Sequence, residues 1–381
     1  MEWKEDILGN VLEVKYGKDH KKLAEGQYPV YGSGGLMRYV DSKLYDGPSI
    51  LIPRKGTLNN IMFVESPFWT VDTMFWTIIN TDKIDPKFLF YSICKRDFAS
   101  MNVGSAVPSM TVSILNDIQI SYPKNLDDQR RIASILSSLD RKIELNNKIN
   151  ADLEEMAQAI FKNWFVDFEP FKDGKFVNSE LGMIPEGWKV GTLDEIADIV
   201  GGSTPSKAKP EYYTQKGIAW LTPKDLSNHP AVYSSRGEID ITEEGYNSTS
   251  TKLMPKGTVL FTSRAPIGYI SIAQNDICTN QGFKSVVPKK AGTCFLYCFL
   301  KYVTPEIENK STGSTFKEAS GALMKSLQVI MPEQKVFEEF EAIVSPLFTR
   351  IESLEQESSR LSLLRDTLLP RLMSGELEVP E

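Results

Sequence analysis

Few residues in this 381-residue chain belong to patterns that do chemistry. The two histidines, His20 and His229, do not fall in a metal-ligand spacing, and no His-Glu-x-x-His segment occurs. The glycine-rich stretches at Gly32 and Gly201 lack the spacing of a phosphate loop or a dinucleotide-binding turn, so we interpret them as loop turns. No Gly-x-Ser-x-Gly nucleophile turn occurs either. These patterns predict no catalytic site of these kinds.

Signatures of DNA-modifying enzymes are absent or weak. The Asn- or Asp-Pro-Pro-aromatic signature of amino-methyltransferases does not occur. Glu-x-Lys triplets, a nuclease feature, begin at Glu2, Glu13, Glu308 and Glu333. With 43 Lys and Arg and 50 Asp and Glu residues such triplets arise by chance, and none has a preceding Pro-Asp pair. We therefore predict a binding protein that is not itself an enzyme.

Several strand-like apolar segments are followed by residues suited to DNA contacts. Arginine pairs with guanine, asparagine and glutamine pair with adenine, and small hydroxyls reach phosphates. A solvated hairpin loop is the alternative for any single position, but similar loops occur in both halves of the chain. The candidate DNA-binding residues are Arg54, Lys55, Thr57, Asn59, Lys224, Ser263, Arg264, Gln281 and Lys284.

Composition limits where such a protein acts and what it binds. The apolar fraction of 41% and charged fraction of 24% are ordinary for a globular protein, and no stretch of 18 uncharged apolar residues predicts a membrane span. The start lacks a signal-peptide pattern, and the four cysteines form no Cys-x-x-Cys pair, so we expect reduced thiols in the cytoplasm. The net charge of −7 weakly disfavours nucleic-acid binding by the whole surface but allows local basic patches.

The two halves of the chain repeat each other at an offset of a little over two hundred residues. The segment from Gly104 resembles that from Gly313, and each combines Gly-Ser, a polar stretch, a short strand, a proline and an acidic helix start. Upstream, GPSILIPRKGTLNN matches KGTVLFTSRAPIGY, which aligns Arg54 with Arg264. Further matches are Trp3 with Trp188 and Leu8 with Leu193.

Each half is followed by a long helical pattern. Apolar residues recur every 3.5 residues for more than four heptads in both patterns, which is typical of a coiled coil. Two unrelated amphipathic helices would not easily share this register, so we expect the two helices to pair. The residues expected to pair are Ile132, Leu136, Leu139, Ile143, Leu153 and Ile160 with Leu347, Ile351, Leu354, Leu361 and Leu368.

A few residues interrupt these helical patterns. Asn146 and Asn150 occupy pairing positions, where a buried amide lowers stability but can fix register. At Pro346 the helix either kinks or starts afresh with Ser345 as its cap. Pro370 predicts that the second helix ends near residue 369.

Together these patterns predict an α+β protein. Two globular mixed α/β domains would have a pseudo-two-fold arrangement, held apart by two long antiparallel coiled-coil helices. The expected segments are a domain over 1–125, a helix over 126–167, a linker over 168–185, a domain over 186–331, a helix over 332–370 and a tail over 371–381.

The sequence resembles the specificity subunits (HsdS) of type I restriction-modification systems across essentially its whole length. Each matching motif is weak alone, but their order, duplication and placement around the helices are specific. The motifs are YPVYGSGGLMRYV, GPSILIPRKGT, PFWTVDTMFWTI, FKNWFVDFEPF, GMIPEGWKVGTLDEIADIVGGSTP, SRAPIGY, NQGFKSVVP and LLPRLMSGELEV.

The resemblance implies a non-catalytic subunit of a methyltransferase and endonuclease complex. Each domain would be a target-recognition domain for one half of a bipartite, asymmetric site in double-stranded DNA. The helices, the central and distal repeat regions of the family, would set the spacer and dock two methylation (M) subunits. Motor-nuclease (R) subunits would complete the complex. S-adenosylmethionine, ATP and magnesium would bind these partners, and this chain would bind no cofactor.

The candidates for methylase docking are Trp164, Phe165 and Phe168, together with the outward faces of the helices. Alternatively, these aromatic residues only cap the end of the coiled coil. A second alternative is a decoy or scaffold that binds methylation subunits without recognising DNA. The recognition part of a combined methyltransferase-nuclease is disfavoured because the chain lacks a methylase motif.

Overall fold

The chain divides into two units, and each contains the globular part of one copy of the sequence repeat. The structure, a computed structural model, describes residues 1–104, 107–312 and 317–379. Unit 1 comprises Met1–Glu144 and Ser359–Glu381, and unit 2 comprises Leu145–Ser358. Parts of the repeated Gly-Ser segments, at 105–106 and 313–316, and the last two residues of the predicted tail lie outside the described residues. Each unit therefore combines a globular part with portions of both long helices.

Unit 1 contains nine strands and two short helices among the residues described. The strands are β1 (Trp3–Ile7), β2 (Leu12–Tyr16), β3 (Tyr28–Gly32), β4 (Gly35–Val40), β5 (Ser49–Pro53), β6 (Met62–Val64), β7 (Trp69–Thr70), β8 (Met74–Ile79) and β9 (Gln119–Pro123). The helices are α1 (Pro86–Ile93) and α2 (Val112–Asn116), and 3-10 turns cover Leu8–Asn10 and Phe98–Met101.

The main sheet of unit 1 has the strand order β2-β8-β5-β6. All five residues of β5 are buried, as expected for a continuous apolar run in a central strand. A second sheet has the order β4-β3-β7, and β1 pairs with β9. Helix α1 starts at Pro86. The carboxylate of the preceding residue, Asp85, accepts hydrogen bonds from the backbone amides of Lys87 and Phe88. The core of this part contains apolar residues of the main sheet, of α1 and of α2.

The first long helix, α3 (Leu126–Phe165), begins in unit 1 and ends in unit 2. Unit 2 adds the strands β10 (Phe176–Ser179), β11 (Gly182–Pro185), β12 (Lys189–Thr192), β13 (Ala197–Gly201), β14 (Tyr213–Thr214), β15 (Trp220–Leu221), β16 (Tyr233–Ser234), β17 (Asp240–Ile241), β18 (Val259–Ser263), β19 (Ile267–Ala273), β20 (Cys278–Thr279), β21 (Lys284–Pro288) and β22 (Gln328–Met331). Its helices are α4 (Leu193–Ile196), α5 (Pro223–Asn228), α6 (Glu243–Asn247), α7 (Thr293–Lys310) and α8 (Gly321–Lys325), with 3-10 turns at Glu169–Phe171 and Pro210–Tyr212. The second long helix, α9 (Gln334–Met373), begins in unit 2 and ends in unit 1.

A five-stranded sheet with the order β13-β21-β18-β19-β16 is the centre of unit 2. Strand β18 is buried throughout, and α7 packs on this sheet with a nearly continuous buried face. The segment 168–185, expected to be a linker, contains the hairpin β10–β11. Its turn includes Gly182 at φ +97°, a conformation that other residues rarely adopt. The apolar content of this short hairpin is too low to reveal it from sequence.

The predicted antiparallel pairing of α3 and α9 is confirmed within each unit. In unit 1, Arg365 Nη1 donates to Asp140 Oδ1 at 2.6 Å. In unit 2, Asn146 Nδ2 donates to Glu357 Oε2 at 2.9 Å, and the rings of Phe165 and Phe340 are 5.1 Å apart. Residues with higher numbers on α3 contact residues with lower numbers on α9, so the helices run in opposite directions.

Burial of the predicted pairing residues is uneven. Ile132, Leu136, Ile351 and Leu354 are buried. The half-buried ones are Leu139, Ile143, Leu153, Ile160, Leu347, Leu361 and Leu368. Phe161 and Phe348, one position away from predicted pairing residues, are almost fully buried because the globular part of unit 2 also packs on the helices. The buried face is therefore wider than a coiled-coil contact alone.

Two of the effects predicted for the prolines of α9 are not observed: a new helix start at Ser345 and a helix end near residue 369. The helix is continuous through Pro346, flanked by the buried residues Val344 and Phe348, and Ser345 does not cap a new helix. The helix also continues past Pro370 to Met373 because Leu369 and Leu372 pack in the core of unit 1. Burial of these apolar side chains offsets the backbone hydrogen bond that each proline removes.

Glu355 on α9 contacts the globular part of unit 2. Its carboxylate accepts hydrogen bonds from the backbone amides of Val232 at 2.7 Å and Tyr233 at 3.0 Å. Burial raises the pKa of Glu355 to about 7, and the nearby carboxylates of Glu154 and Glu352 contribute to this rise. The carboxyl therefore holds its proton in the folded state at pH values where the unfolded chain has lost it.

We expect the stability of unit 2 to fall as this carboxyl ionises. An ordinary glutamate loses its proton near pH 4.5, so the free energy of unfolding should fall by about 1–3 kcal/mol between pH 4.5 and 7, and then level off. Urea unfolding at several pH values should show this slope, and Glu355→Gln should remove it. Glu306→Gln, an exposed change in the same unit, should leave the slope intact. Identical slopes in the wild type and Glu355→Gln would contradict the assignment.

Among the described residues, no helix is both long enough and apolar enough to span a membrane.

Candidate nucleic-acid interface

Strand ends place the first group of predicted residues at one edge of unit 1. The amide of Arg54, just after β5, donates to the carbonyl of Thr73 at 2.8 Å. The Arg54 guanidinium lies 5.3 Å from the ring centroid of Tyr16, at the end of β2, and Nη1 donates to the carbonyl of Asp72 at 3.3 Å. Tyr16 is 55% exposed. Arg54 is thus held on an aromatic surface that faces solvent.

The loop after Arg54 has one exposed cation and one fixed amide. Lys55 is exposed and lies opposite Ser109 in an isolated bridge, and Thr57 is exposed as well. Asn59 closes a turn instead: its Oδ1 accepts from the Ala99 amide at 2.8 Å and its Nδ2 donates to Asp97 at 3.2 Å. We name Tyr16, Arg54, Lys55 and Thr57 the strand-end surface of unit 1.

Three charged residues meet at the corresponding edge of unit 2. Lys284 Nζ is 3.2 Å from Glu318 Oε1, and Arg264 Nη1 is 3.6 Å from Glu318 Oε2. The Lys284 side chain is 18% exposed, and those of Arg264 and Glu318 are 36% and 38% exposed. One carboxylate therefore serves two cations, and the group keeps one net positive charge.

Polar residues extend this edge. Gln281 Oε1 accepts a hydrogen bond from the hydroxyl of Thr204, and both side chains face solvent. Helix α5 begins beside the same turn, since a Cβ on Gly282 would lie 2.7 Å from Pro223 Cγ. Lys224 on α5 is exposed and 3.9 Å from Glu238. We name Thr204, Arg264, Gln281, Lys284 and Glu318 the strand-end surface of unit 2.

Ser263 is not part of that surface. It is fully buried, and its hydroxyl donates to the carbonyl of Gly282 at 3.1 Å. The hydroxyl is used inside the fold, so the structure offers no DNA contact through this side chain. The side chain of the next residue, Arg264, is 36% exposed, because side chains alternate between the two faces of a strand.

Equivalent backbone pairings relate the two surfaces residue by residue. The matched pairs are Pro53–Met74 with Thr262–Phe283, Arg54–Thr73 with Ser263–Gly282, and Lys55–Ser109 with Arg264–Glu318. A shift of 209 residues converts each pair into its match. The counterpart of Arg264 is therefore Lys55, and the sequence alignment of Arg54 with Arg264 was wrong by one residue. The alignment matched two identical side chains, whereas the register of strands is set by backbone hydrogen bonds.

The match at the start of each half is confirmed. Leu8 donates its amide to the Ile118 carbonyl at 2.8 Å, and Leu193 donates to the Leu327 carbonyl at 2.9 Å. Within the sheets, the pair Tyr16–Phe75 of unit 1 corresponds to Gly201–Lys284 of unit 2. The two units thus share the same backbone pairing of strands, which we call the frame, while the side chains at the strand ends differ.

Sequence reasoning missed Tyr16, Thr204 and Glu318. Tyr16 ends the alternating strand LEVKY, a signal that places its ring next to the edge. Glu318 lies in the second copy of the repeated Gly-Ser segment, but its partners are 34 and 54 residues away, and spacing alone does not reveal them.

Trp164 and Phe165, two of the predicted docking aromatics, end α3, and Phe168 follows the helix in unit 2. Phe165 is 5% exposed and packs in the core, with its ring 4.9 Å from that of Phe295. Trp164 and Phe168 are half-buried, and Phe168 packs against Trp188 at 5.8 Å. The burial of Phe165 leaves too little surface for contact with a partner.

Metal ligation has no support in the part of the chain that the structure describes, where no group of three His, Cys, Asp or Glu side chains could hold an ion. The four cysteines are free thiols, and three of them are buried. Burial raises the pKa of Cys94 and of Cys278 to about 11, so these thiols stay protonated near neutral pH.

A family comparison agrees with the repeat. The family described as "Type I restriction modification DNA specificity domain" matches residues 1–155 and again residues 185–362. The chain belongs to the type I restriction-modification specificity subunits. The two matches correspond to the two globular parts, each with most of the helix that follows it.

Curated specificity subunits are similar over most of their length. The chain is 38% identical to the specificity subunit of the type I restriction enzyme MjaIX from Methanocaldococcus jannaschii, covering 95% of this chain and 86% of that protein. It is 25% identical to the HindI specificity subunit from Haemophilus influenzae, covering 83% of each. The crystal structure of an S subunit from M. genitalium has a TM-score of 0.64 at 18% identity, covering 97% of this chain, and supports the fold.

Proposed function

We propose that this specificity subunit recognises a bipartite, asymmetric DNA site, with unit 1 contacting one half-site and unit 2 the other. The carrying observation is the pair of strand-end surfaces, which share a backbone frame but differ in side chains. A repeated frame would approach two half-sites in the same way. Different side chains, Arg54 on Tyr16 in one and the Glu318 cluster in the other, would select different bases.

The charge distribution is compatible with this role. Although the chain carries a net charge of −7, both strand-end surfaces contain cations that reach solvent: Lys55 is exposed, and the Arg264 side chain is 36% exposed. Nonspecific affinity for DNA depends mainly on the number of phosphates neutralised. We infer that these surfaces supply base contacts and that partner subunits supply much of the phosphate contact. The subunit itself would be non-catalytic.

We further propose that α3 and α9 set the spacer between half-sites and dock two methylation subunits. Apolar side chains remain exposed along these helices: Leu145 and Met156 in unit 2 are half exposed, and Leu363 in unit 1 is 70% exposed. Such residues on helices that already bury their inner face favour contact with another protein. S-adenosylmethionine would bind the methylation subunits, and ATP and magnesium would bind motor-nuclease subunits.

The test is a base-resolution map of N6-methyladenine in a methylation-free host. The host would express this chain together with its cognate methylation subunit, and a control culture would express the methylation subunit alone. A single split motif with an unspecified spacer, present only with this chain, is the expected result. A complex that co-purifies but methylates no motif would instead favour a decoy or scaffold.

Arg264→Ala should relax recognition at only one half-site. Loss of one arginine contact to a base costs about 1–3 kcal/mol and broadens the sequence accepted at that position. The methylation map should therefore change in one half of the motif and not in the other, whereas Lys55→Ala should affect the other half. Equal weakening on all DNA sequences would identify Arg264 as a phosphate contact.

A further inference from the structure

Glu318 is an acidic residue in the middle of a surface that we propose binds DNA. Its backbone position is fixed, because its amide donates to the Thr312 carbonyl at 2.9 Å and the next amide donates to the Ser263 carbonyl at 2.9 Å. Its carboxylate lies within 4 Å of both Lys284 and Arg264. A carboxylate fixed here would repel phosphates, so its presence requires a reason.

Unit 1 shows what this frame looks like without the carboxylate. Ser109 occupies the position of Glu318, and it lies opposite Lys55. Phe75 occupies the position of Lys284. The carboxylate of Glu318 and the cation of Lys284 thus have no counterpart at the equivalent positions of unit 1, although the two units share the same backbone pairing there.

The ion cluster limits what its cations can contact. A lysine or arginine with no partner binds any phosphate within reach, which adds affinity without selectivity. A cation paired with a carboxylate cannot move to any nearby phosphate, and its remaining N–H groups point in fixed directions. Acceptors such as N7 and O6 of guanine can satisfy those groups, while a phosphate that approaches them also meets the carboxylate charge.

We propose that Glu318 is a specificity-determining residue for the half-site recognised by unit 2. Its carboxylate positions Arg264 and Lys284 so that they contact base edges, and it penalises their contact with phosphates. This inference rests on the proposed function. Glu318 acts through the two cations and is a positioning residue.

The experiment uses the complex of this chain with its cognate methylation subunit. Binding to a cognate duplex, and to a duplex with the unit 2 half-site scrambled, is measured over a range of salt concentrations. With Glu318→Gln, the plot of log K against log salt should steepen by about 0.9 for each cation released. Preference for the cognate duplex should fall roughly 5- to 150-fold, the range of one base contact. The methylation map should relax only in the half-site that Arg264→Ala relaxes.

Two further variants serve as controls. Glu306→Gln removes the same charge from an exposed pair with Lys310 on α7 and should change neither the slope nor the motif. Ser109→Glu places a carboxylate opposite Lys55 and should flatten the salt slope by about 0.9. It tests the same principle in unit 1 if Glu318→Gln fails to fold.

Other outcomes would overturn the proposal in distinguishable ways. Relaxation at one base position with an unchanged salt slope would mean that Glu318 contacts a base itself. An unchanged motif and slope in both Glu318→Gln and Ser109→Glu would reject the positioning role while leaving DNA recognition by the subunit intact. Absence of any split motif with the wild-type complex would reject the proposed function, and this inference with it.

Discussion

Removal of residues 141–147 together with 357–363 is expected to shorten the spacer of the methylated motif by about three base pairs. One heptad of helix is about 10.5 Å long, and DNA rises about 34 Å per turn of ten base pairs. The deletion removes Asn146 together with its partners Glu357 and Ser358, so these hydrogen bonds are not left half-broken. Each helix loses one heptad, which keeps its buried face in nearly the same orientation.

The flanking contacts make this deletion well defined. Asp140 and Arg365 lie on one side of it, and Glu154 and Glu355 lie on the other, so all four are retained. Deletion of 141–147 alone serves as the control. It shifts the helices by seven residues relative to each other and should abolish methylation. Continued methylation at the original spacing in the double deletion would show that the helices do not determine the spacer.

Phe165→Ala is expected to destabilise unit 2 by about 3–5 kcal/mol, the usual cost of removing a buried phenylalanine ring. Phe165 lies among the rings of Phe295, Phe340 and Trp188, and alanine would leave a cavity there. For a unit of this size the melting temperature should fall by roughly 10 °C. Thermal unfolding followed by tryptophan fluorescence measures this change.

Trp164→Ala is the matched comparison because Trp164 is adjacent and half-buried. This variant should lose less stability, and co-purification with the methylation subunit reports whether the exposed part of its ring contacts a partner. If Phe165→Ala kept the wild-type melting temperature yet lost the methylation subunit, Phe165 would be a docking residue after all.

The parts of the fold that follow from local pattern could be predicted from sequence. The long helices were found because a 3.5-residue period over four heptads is unambiguous, and the repeat of Leu8 at Leu193 was found because both precede similar strands. The C-terminal end of α9 was misjudged, since the packing of Leu369 and Leu372 outweighs the effect of Pro370.

The details of the candidate site depend on residues distant in sequence. Ser263 and Arg264 are neighbours, yet the Ser263 hydroxyl is buried and donates to the Gly282 carbonyl, whereas Arg264 lies beside the carboxylate of Glu318. Phe165 was a candidate docking residue, but it is buried and packs against Phe295, which lies 130 residues later in the chain. Sequence patterns gave the loops that carry the site, but only the tertiary structure separates the side chains that face solvent from those that do not.

The division of the chain into units has a consequence for its synthesis. Unit 2 is one continuous segment, whereas the core of unit 1 joins Ile132 and Leu136 to Leu369 and Leu372. On the ribosome, residues 1–144 emerge first but lack the apolar partners that complete their core. All residues of unit 2 are synthesised before the end of α9, which unit 1 needs to complete its core. A premature stop just after residue 358 would therefore damage the part of the protein that was made first.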